Sequence, residues 1–454
     1  MESISLQKLA KAAGAVCDDD VIIRDICTDT RKIERGSLFV ALRGERFDGH
    51  EFIEQAYEKG AAGVVTQVSV SGHPGIVLVK DTVQALLDIA GYYRRLFCLF
   101  VAGVTGSVGK TSTKEMIYAI LSAKGKTLKT EGNLNNQIGM PLTLLGLDSS
   151  YDNAVIEMGM SGFGEIASMS KACCPSVGII TNIGVSHMET LGSRENIRKA
   201  KLEIMEGMPS EAPLVLNGDD ILLRAVNDFV DRPVIFYGLS HKNTDISASD
   251  IAAQNGGTAF IIHYYGQEIP AWIPTIGQHN VYNALAGFCA GIVADMQPEE
   301  IVSAMRAYRN AGLRQNITQK NGVTIISDCY NASPDSMRAA IDVLRSVECS
   351  GKRICVLGDM LELGAVSEES HIEVGKMVGR SNADLLLCFG ACAKDIKRGA
   401  IMVGMKHAYH FDDKKELADY LLRNLQEGDA VIFKASRGIQ MEEVIRMMEE
   451  GIGK

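Results

Sequence analysis

The sequence predicts an α/β protein in three units: a small mixed unit over 1–82, a central unit with a mostly parallel sheet over 83–312, and a doubly wound unit over 313–454. Three observations predict it. A length of 454 residues, at roughly 100–200 residues per domain, calls for two to four units. FVAGV (100–104) leads through a glycine-rich turn into the helical pattern TSTKEMIYAILSAKG (111–125), the opening of a βαβ unit. Beyond about Gly312, strand-like and helical runs alternate strictly, as in a parallel doubly wound sheet.

In chain order, SLFVAL (37–42), AGVVT (62–66) and IVLVK (76–80) read as strands, and HEFIEQAYEKGA (50–61) reads as a helix ending at Gly60. TVQALLDIAGYYRRLF (82–97) has helical spacing and carries the chain into the central unit. There, further strands are expected at 152–159, 177–184 and 212–219, a β-rich stretch at 233–275 and a helix over 280–293. The last unit has strands at 323–328, 353–359, 383–390 and 429–436. One of its helices has a readable start, with Ser333 as N-cap, Pro334 in first position and Asp335 in the first turn.

The chain is 46% apolar and 22% charged, which excludes disordered and collagen-like readings. It has 46 basic and 56 acidic residues, a net charge of −10. That argues against a nucleic-acid binder and against a protein drawn to anionic membrane. The 11 cysteines are scattered with no C-x-x-C pair, which reads as reduced cytoplasm. The N-terminus lacks the basic start and apolar core of a secretory signal. The longest apolar stretch, near 96–104, falls well short of the ~20 residues that span a bilayer. No membrane insertion is expected.

The sharpest motif is GVTGSVGKTS (103–112). Its glycines let backbone N–H groups turn toward phosphate oxygens, and the following helix adds the positive end of its dipole. Thr105, Gly106, Ser107, Val108, Gly109, Lys110, Thr111 and Ser112 are the candidate nucleotide-binding residues. Lys110 can reach the terminal phosphates, and Thr111 can offer a hydroxyl to Mg²⁺. The strict phosphate-loop pattern wants glycine at 104, where this chain has valine. Glu157, at the end of a strand after the loop's helix, is placed as a second Mg²⁺ ligand. His187 follows the next strand. Magnesium prefers oxygen, so by chemistry alone this histidine reads as a hydrogen-bonding residue. Ile197, Lys201, Ile204 and Met208 share one helix face. Burial in that stripe would depress the lysine's pKa. A neutral amine can take up CO₂ as a carbamate and become an oxygen ligand, and the plain alternative is a lysine snorkelling past its neighbours.

These segments, together with EGNLNNQIGMPLTLL (131–145), EMG (157–159), TNIGVSHMETLGS (181–193), the AK-x-EI segment at Lys201 and GQHNVYNALA (277–286), resemble the Mur ligase family. Their order and spacing match over essentially the whole chain. The missing glycine at 104 is the family's own form of the loop. The resemblance implies ATP-dependent amide-bond ligation in peptidoglycan precursor synthesis, on a central P-loop-type ATPase domain and a C-terminal Rossmann-like domain. It implies Lys110, Glu157, His187 and Lys201 as the catalytic set. Thr111, Glu157, His187 and a carbamylated Lys201 would hold Mg²⁺ in two sites. Asn283 would lie near the base, with Arg314 and Asp328 reaching the phosphates and ribose from the third unit.

TDTRKIERGSLFVALRGERFDGHEFI (28–53) resembles the family's uridine-diphosphate-binding module. Thr30, Arg31, Arg43, Asp48, Gly49 and His50 are its candidate residues. An arginine pair suits a diphosphate, and both arginines can equally be surface residues. Asn133, Asn135 and Asn136 offer amides to the muramoyl-peptide. SDCYNASPDSMRAAIDVL (327–344), LGDMLELG (357–364) and FKASRGIQMEEVI (433–445) resemble the branch that joins D-alanyl-D-alanine to UDP-N-acetylmuramoyl-tripeptide. That branch would place Lys434, Ser436 and Arg437 near the dipeptide. Ser333 stands where the branch usually has asparagine. The D-x-P-R segment of the diamino-acid-adding relative is absent, and family resemblance implies a monomer.

Two other readings stay open. One is another Mur-type ligase, such as a diamino-acid-adding one, and the other a phosphate-loop nucleotide switch without ligase activity. A dinucleotide oxidoreductase is disfavoured, since no G-x-G-x-x-G follows a strand of the third unit.

Overall fold

A computed structural model of the chain describes residues 1–44, 47–240 and 244–451. The first sheet is parallel throughout and joins Asp25–Cys27, Ser37–Val40, Gly63–Thr66 and Ile76–Leu78. Ser37–Val40 is buried along its length, as a central parallel strand covered on both faces must be. A short antiparallel pair, Ile4–Ser5 with Ile22–Ile23, precedes it. The helix expected over 82–97 runs from Thr82 to Arg94 and starts where Asp81 accepts hydrogen bonds from the Val83 and Gln84 amides.

That helix joins the first sheet to the central unit. Gly91 passes so close to the helix Glu165–Cys173 that a Cβ there would stand 3.1 Å from Ala172 Cα. Arg94 Nε donates to the Cys173 carbonyl at 2.7 Å, and the Tyr93 hydroxyl donates to the Leu147 carbonyl at 2.7 Å. Leu86, Ile89 and Ala90 belong to one apolar core that continues from the small sheet beneath the large one.

The central sheet has nine strands. It is parallel from Thr127–Lys129 to Ile246–Gln254, and the hairpin strands Gly257–Tyr264 and Gln267–Ile273 close it antiparallel. Phe100–Thr105 lies between Asn153–Glu157 and Val177–Ile180. Their C-terminal ends therefore open side by side, where ligands of parallel sheets bind. Helices Lys110–Lys124 and Gln278–Val293 cover one face.

The third sheet departs from the expected all-parallel form. Five strands are parallel, and Asn316–Lys320 adds an antiparallel edge to Val323–Ser327. The cause is local. Asn321 (φ 47°) and Gly322 (φ 75°) form the two-residue turn with both central residues left-handed that reverses a hairpin. Ser333 caps the helix Pro334–Ser346 as expected, in a reciprocal box with Ser336.

Helices Ser367–Arg380 and Ala393–Met402 cross backbone to backbone: a Cβ on Gly375 would meet Ile396 O at 1.9 Å, and one on Gly399 would meet Ile372 O at 2.0 Å. Gly375→Val is therefore expected to wedge the pair apart and cost about 3 kcal/mol, read as a lower urea midpoint in equilibrium unfolding.

Candidate active site

The C-terminal edge of the central sheet and the third sheet enclose a cavity of about 900 Å³. Its floor is the turn after Phe100–Thr105. Gly106 has φ +150°, and a Cβ there would stand 1.9 Å from Thr181 Oγ1. The segment after Val177–Ile180 grips this turn. The Ser107 amide donates to Asn182 O (3.1 Å), the Val108 amide to Asn182 Oδ1 (2.9 Å), and Thr181 Oγ1 donates to Val108 O (2.6 Å). Ser107 and Val108 thus spend their amides on Asn182, whereas the sequence reading turned the loop's amides toward phosphate. The amides at the head of the helix, Gly109 to Ser112, are the loop's open donors. Gly109, with φ 85°, is the N-cap. Thr105 lies below the cavity, its hydroxyl donating to Met158 O at 2.8 Å. Lys110 Nζ folds back onto Gly106 O (2.9 Å) and Ser107 O (3.4 Å). Burial lowers its pKa, the charges of Glu157 and Glu362 raise it, and Arg314 lowers it.

Glu157 ends its strand 1% exposed. Its Oε1 accepts from Asn135 Nδ2 at 2.7 Å. Its Oε2 is buried without a hydrogen bond, 3.8 Å from the buried ammonium of Lys114. A buried carboxylate oxygen left open is costly unless something else binds it. Thr111, also in the cavity lining, has no side-chain hydrogen bond among the described residues. This donor set of hard oxygens fits Mg²⁺.

The lysine stripe is buried as its spacing predicted: Ile197 0%, Lys201 1%, Ile204 0% and Met208 8% exposed. Lys201 has no hydrogen-bond or ion-pair partner among the described residues. Burial, and after it the charge of Lys110, holds its pKa well below the usual lysine range. His187 takes a left-handed backbone (φ 66°) at the head of the short helix Met188–Leu191. Its pKa is lowered to about 4, first by burial and then by the charges of Lys110 and Lys201. Lys110, His187 and Lys201 thus form one group of nitrogens, each with its pKa lowered first by burial.

The third unit supplies the opposite wall. The Arg314 guanidinium lies 4.1 Å over the Tyr330 ring. Asp328 Oδ2 pairs with the buried Lys434 at 2.6 Å. Asn283 links the walls: its Oδ1 accepts from Thr113 Oγ1 (3.0 Å), and its Nδ2 donates to Asn280 Oδ1 (3.1 Å). Asn280 in turn donates to Gln315 Oε1 (2.7 Å), where the third unit begins.

Other expected residues lie apart from the cavity lining. Ser436 is 2% exposed, and its hydroxyl accepts from the Leu361 amide at 2.9 Å. Arg437 is paired with Glu442. Both are paired within the third unit, and the strand Ala430–Lys434 reaches the opening only through its last residue, Lys434. Asn133, Asn135 and Asn136 do line it, with Asn136 Oδ1 accepting from the Gly139 amide (2.8 Å).

The uridine-module residues form a separate cluster. Arg31 pairs with Asp29 at 2.8 Å and Arg43 with Asp48 at 2.9 Å. The two arginines therefore do not converge as a pair; each is held by its own neighbouring carboxylate. Thr30 Oγ1 donates to Gln55 Oε1 at 2.8 Å. Asp48 Oδ1 is 2.5 Å from His50 Nδ1, and His50 Nε2 accepts from the Gln67 amide at 3.0 Å. Gly49 leaves no room for a side chain: a Cβ would stand 2.6 Å from Leu42 O.

Sequence reasoning passed over Lys114, Asp219 and Tyr282. Lys114 lies one helical turn beyond Lys110, so its position facing Glu157 was readable from i, i+4 spacing. Asp219 accepts from the Tyr282 hydroxyl at 2.9 Å on the cavity wall, a pairing across 63 residues with no local signal.

Gly106→Ala is expected to abolish the loop's shape. Calorimetry with a non-hydrolysable ATP analogue should show binding weaker by about 100-fold or more.

Family models match three segments: residues 104–291 match the Mur ligase middle domain, 314–437 the Mur ligase, glutamate ligase domain, and 22–93 the Mur ligase family, catalytic domain. A curated UDP-N-acetylmuramoyl-tripeptide--D-alanyl-D-alanine ligase of Bacillus subtilis is 41% identical over 95% of this chain and 94% of its own. One from Escherichia coli is 35% identical over 99% of both. A crystal structure of MurF from Acinetobacter baumannii superposes with TM-score 0.92 at 30% identity, over 99% of each chain. MurF ligase from Thermotoga maritima in complex with ADP superposes with TM-score 0.87 at 31% identity, over 94% of this chain and 98% of that one. The phosphate loop, the fold that presents it and the likeness along the full chain agree, and the protein belongs to the Mur ligase family.

Proposed function

We propose that this protein is an ADP-forming ligase that joins D-alanyl-D-alanine to the terminal carboxylate of UDP-N-acetylmuramoyl-tripeptide. In this reading it acts as a cytoplasmic monomer in peptidoglycan precursor synthesis. The proposed units divide the work: 1–82 binds the uridine diphosphate through the Thr30–His50 cluster, 83–312 binds ATP, and 313–454 brings the dipeptide and closes on the nucleotide. The observation that carries the reading is the incomplete electrostatics of the cavity. A phosphate loop and a buried carboxylate oxygen without a partner line it with His187, and the buried Lys201, outside the lining, is coupled to Lys110 and His187 by charge.

A carboxylate and an ammonium do not condense at neutral pH without activation. The tripeptide carboxylate oxygen attacks the γ-phosphorus of ATP, and ADP leaves. The dipeptide nitrogen then attacks the acyl phosphate carbonyl carbon, and inorganic phosphate leaves with its bonding electron pair. Two anions must meet in the first step, and Lys110 lies where their charge collects. The amides from Gly109 to Ser112 orient the phosphates. Thr111, Glu157, His187 and Lys201, the last as a carbamate, would hold magnesium, which supplies charge neutralisation between the phosphate and the acceptor. Arg314 and Asp328 reach the nucleotide only when the third unit closes, which also keeps water from the acyl phosphate.

Mass spectrometry of products from ATP, D-alanyl-D-alanine and UDP-muramoyl-tripeptides carrying each diamino acid tests the reaction. One amide product and one ADP per turnover are expected. ADP without an amide product would favour the nucleotide-switch reading. Lys110→Ala should lower turnover by about 10³ or more. Glu157→Gln should weaken Mn²⁺ binding, followed by electron paramagnetic resonance, with the melting temperature changed little.

A further inference from the structure

Most carboxylates around the cavity are already engaged. Glu157 accepts from Asn135, Asp219 from Tyr282 and the Leu239 amide, Asp220 from the Ile183 amide, and Asp328 pairs with Lys434. Glu362 is different. It belongs to the third unit, yet its Oε2 lies 3.4 Å from His187 Nδ1 of the central unit. Its side chain is 66% exposed. Glu362 accepts no hydrogen bond among the described residues, so its carboxylate stands open to a donor. Its field nevertheless reaches Lys110.

The loop is built to hold this carboxylate in place. Asp359 Oδ1 accepts from the Cys392 and Ala393 amides at 3.0 and 2.7 Å. The Met360 amide donates to His371 Nε2 at 3.0 Å, and the Leu361 amide to Ser436 Oγ at 2.9 Å. Glu362 itself is left-handed (φ 63°), an uncommon state for a residue with a side chain. Gly364 (φ 54°) lets the loop settle against Glu189, where a Cβ would meet Glu189 Cβ at 3.1 Å. Backbone strain of this kind persists where the surroundings over-determine it.

The ligase reading requires an amino group to reach an acyl carbon beside Lys110 and His187. At neutral pH an α-amino group, with pKa ~7.7–8.0, arrives mostly as the ammonium. The Lys110 ammonium repels it. We propose that Glu362 docks the ammonium of the incoming amino-acid or peptide substrate and aims its nitrogen at the acyl phosphate carbonyl. This rests on the ligase reading above. As the nitrogen lone pair forms the C–N bond, the C–O bond to phosphate breaks and phosphate leaves with that electron pair. The docked ammonium first gives one proton to the water that reaches this exposed side chain, which frees that lone pair, and the nitrogen gives its second surplus proton to the departing phosphate as the amide forms.

The test compares full-length wild type with Glu362→Gln and Glu362→Asn, the latter because asparagine tolerates a left-handed backbone. Each is assayed with D-alanyl-D-alanine and, separately, with hydroxylamine, which arrives uncharged and traps acyl phosphate as a hydroxamate. Both variants should raise KM for the dipeptide about tenfold or more, with hydroxamate yield and KM for ATP within about twofold of wild type. An unchanged dipeptide KM overturns the proposal. So does a hydroxamate yield that falls as far as the amide yield, since Glu362 would then act on nucleotide, metal or closure. Wild-type protein that forms neither product sinks the ligase reading itself, and this proposal with it.

Discussion

Where Phe100–Thr105 ends, the backbone crosses Thr181 at a distance that excludes any side chain on Gly106. Thr181 and Asn182 then take up Ser107 and Val108, so the phosphate loop has its shape before any ligand arrives. That grip couples two adjacent parallel strands at their C-terminal ends. It also turns the head of the helix Lys110–Lys124 toward the opening. The loop is pre-organised at the expense of two of its own amides, and anion recognition falls to the helix terminus and Lys110.

The site around it is electrostatically unfinished. Three nitrogens crowd together, and all three are held at depressed pKa, first of all by burial. Beneath them Glu157 keeps one oxygen without a partner, while Lys114 stands just beyond hydrogen-bond reach. A protein stabilised only for its own sake would pair or remove these groups. In the proposed reading a polyanionic nucleotide with a divalent cation would complete the arrangement. Burial that would be a liability in a structural protein becomes a means of discriminating between the empty and loaded states.

The third unit contributes by facing the central one. Asn283, Asn280 and Gln315 form a short relay of side-chain amides from the loop's helix to the start of the third unit, and Asp328 and Lys434 continue it. Side-chain amides suit such a joint, because each offers both a donor and an acceptor. The loop 359–364 meets the central unit where Glu362 contacts His187, a residue of the opening. Residues of both units thus line one cavity.

Much of this was legible in the chain alone, because it rests on short-range pattern. Strand, glycine turn and helix announced the phosphate loop, and the helical stripe put Lys201 among apolar neighbours, where the sequence left burial and snorkelling both open and the fold buries it. The Ser-Pro-Asp start of Pro334–Ser346 was a local cap, and local hydrogen bonding follows from neighbouring residues. Other features came only with tertiary structure. The sequence left Arg31 and Arg43 open between a diphosphate site and a plain surface, and the fold pairs each with a nearby carboxylate. It placed Ser436 by resemblance near a substrate, and the fold spends that hydroxyl on Leu361. The antiparallel edge at Asn316–Lys320 hung on a two-residue Asn-Gly turn that strict alternation overlooked. Charge pairing, side-chain hydrogen bonds across 60 or more residues and the meeting of Glu362 with His187 depend on distances set by packing. A linear pattern carries periodicity and the types of residues present, and the folded chain alone decides which of them come within reach.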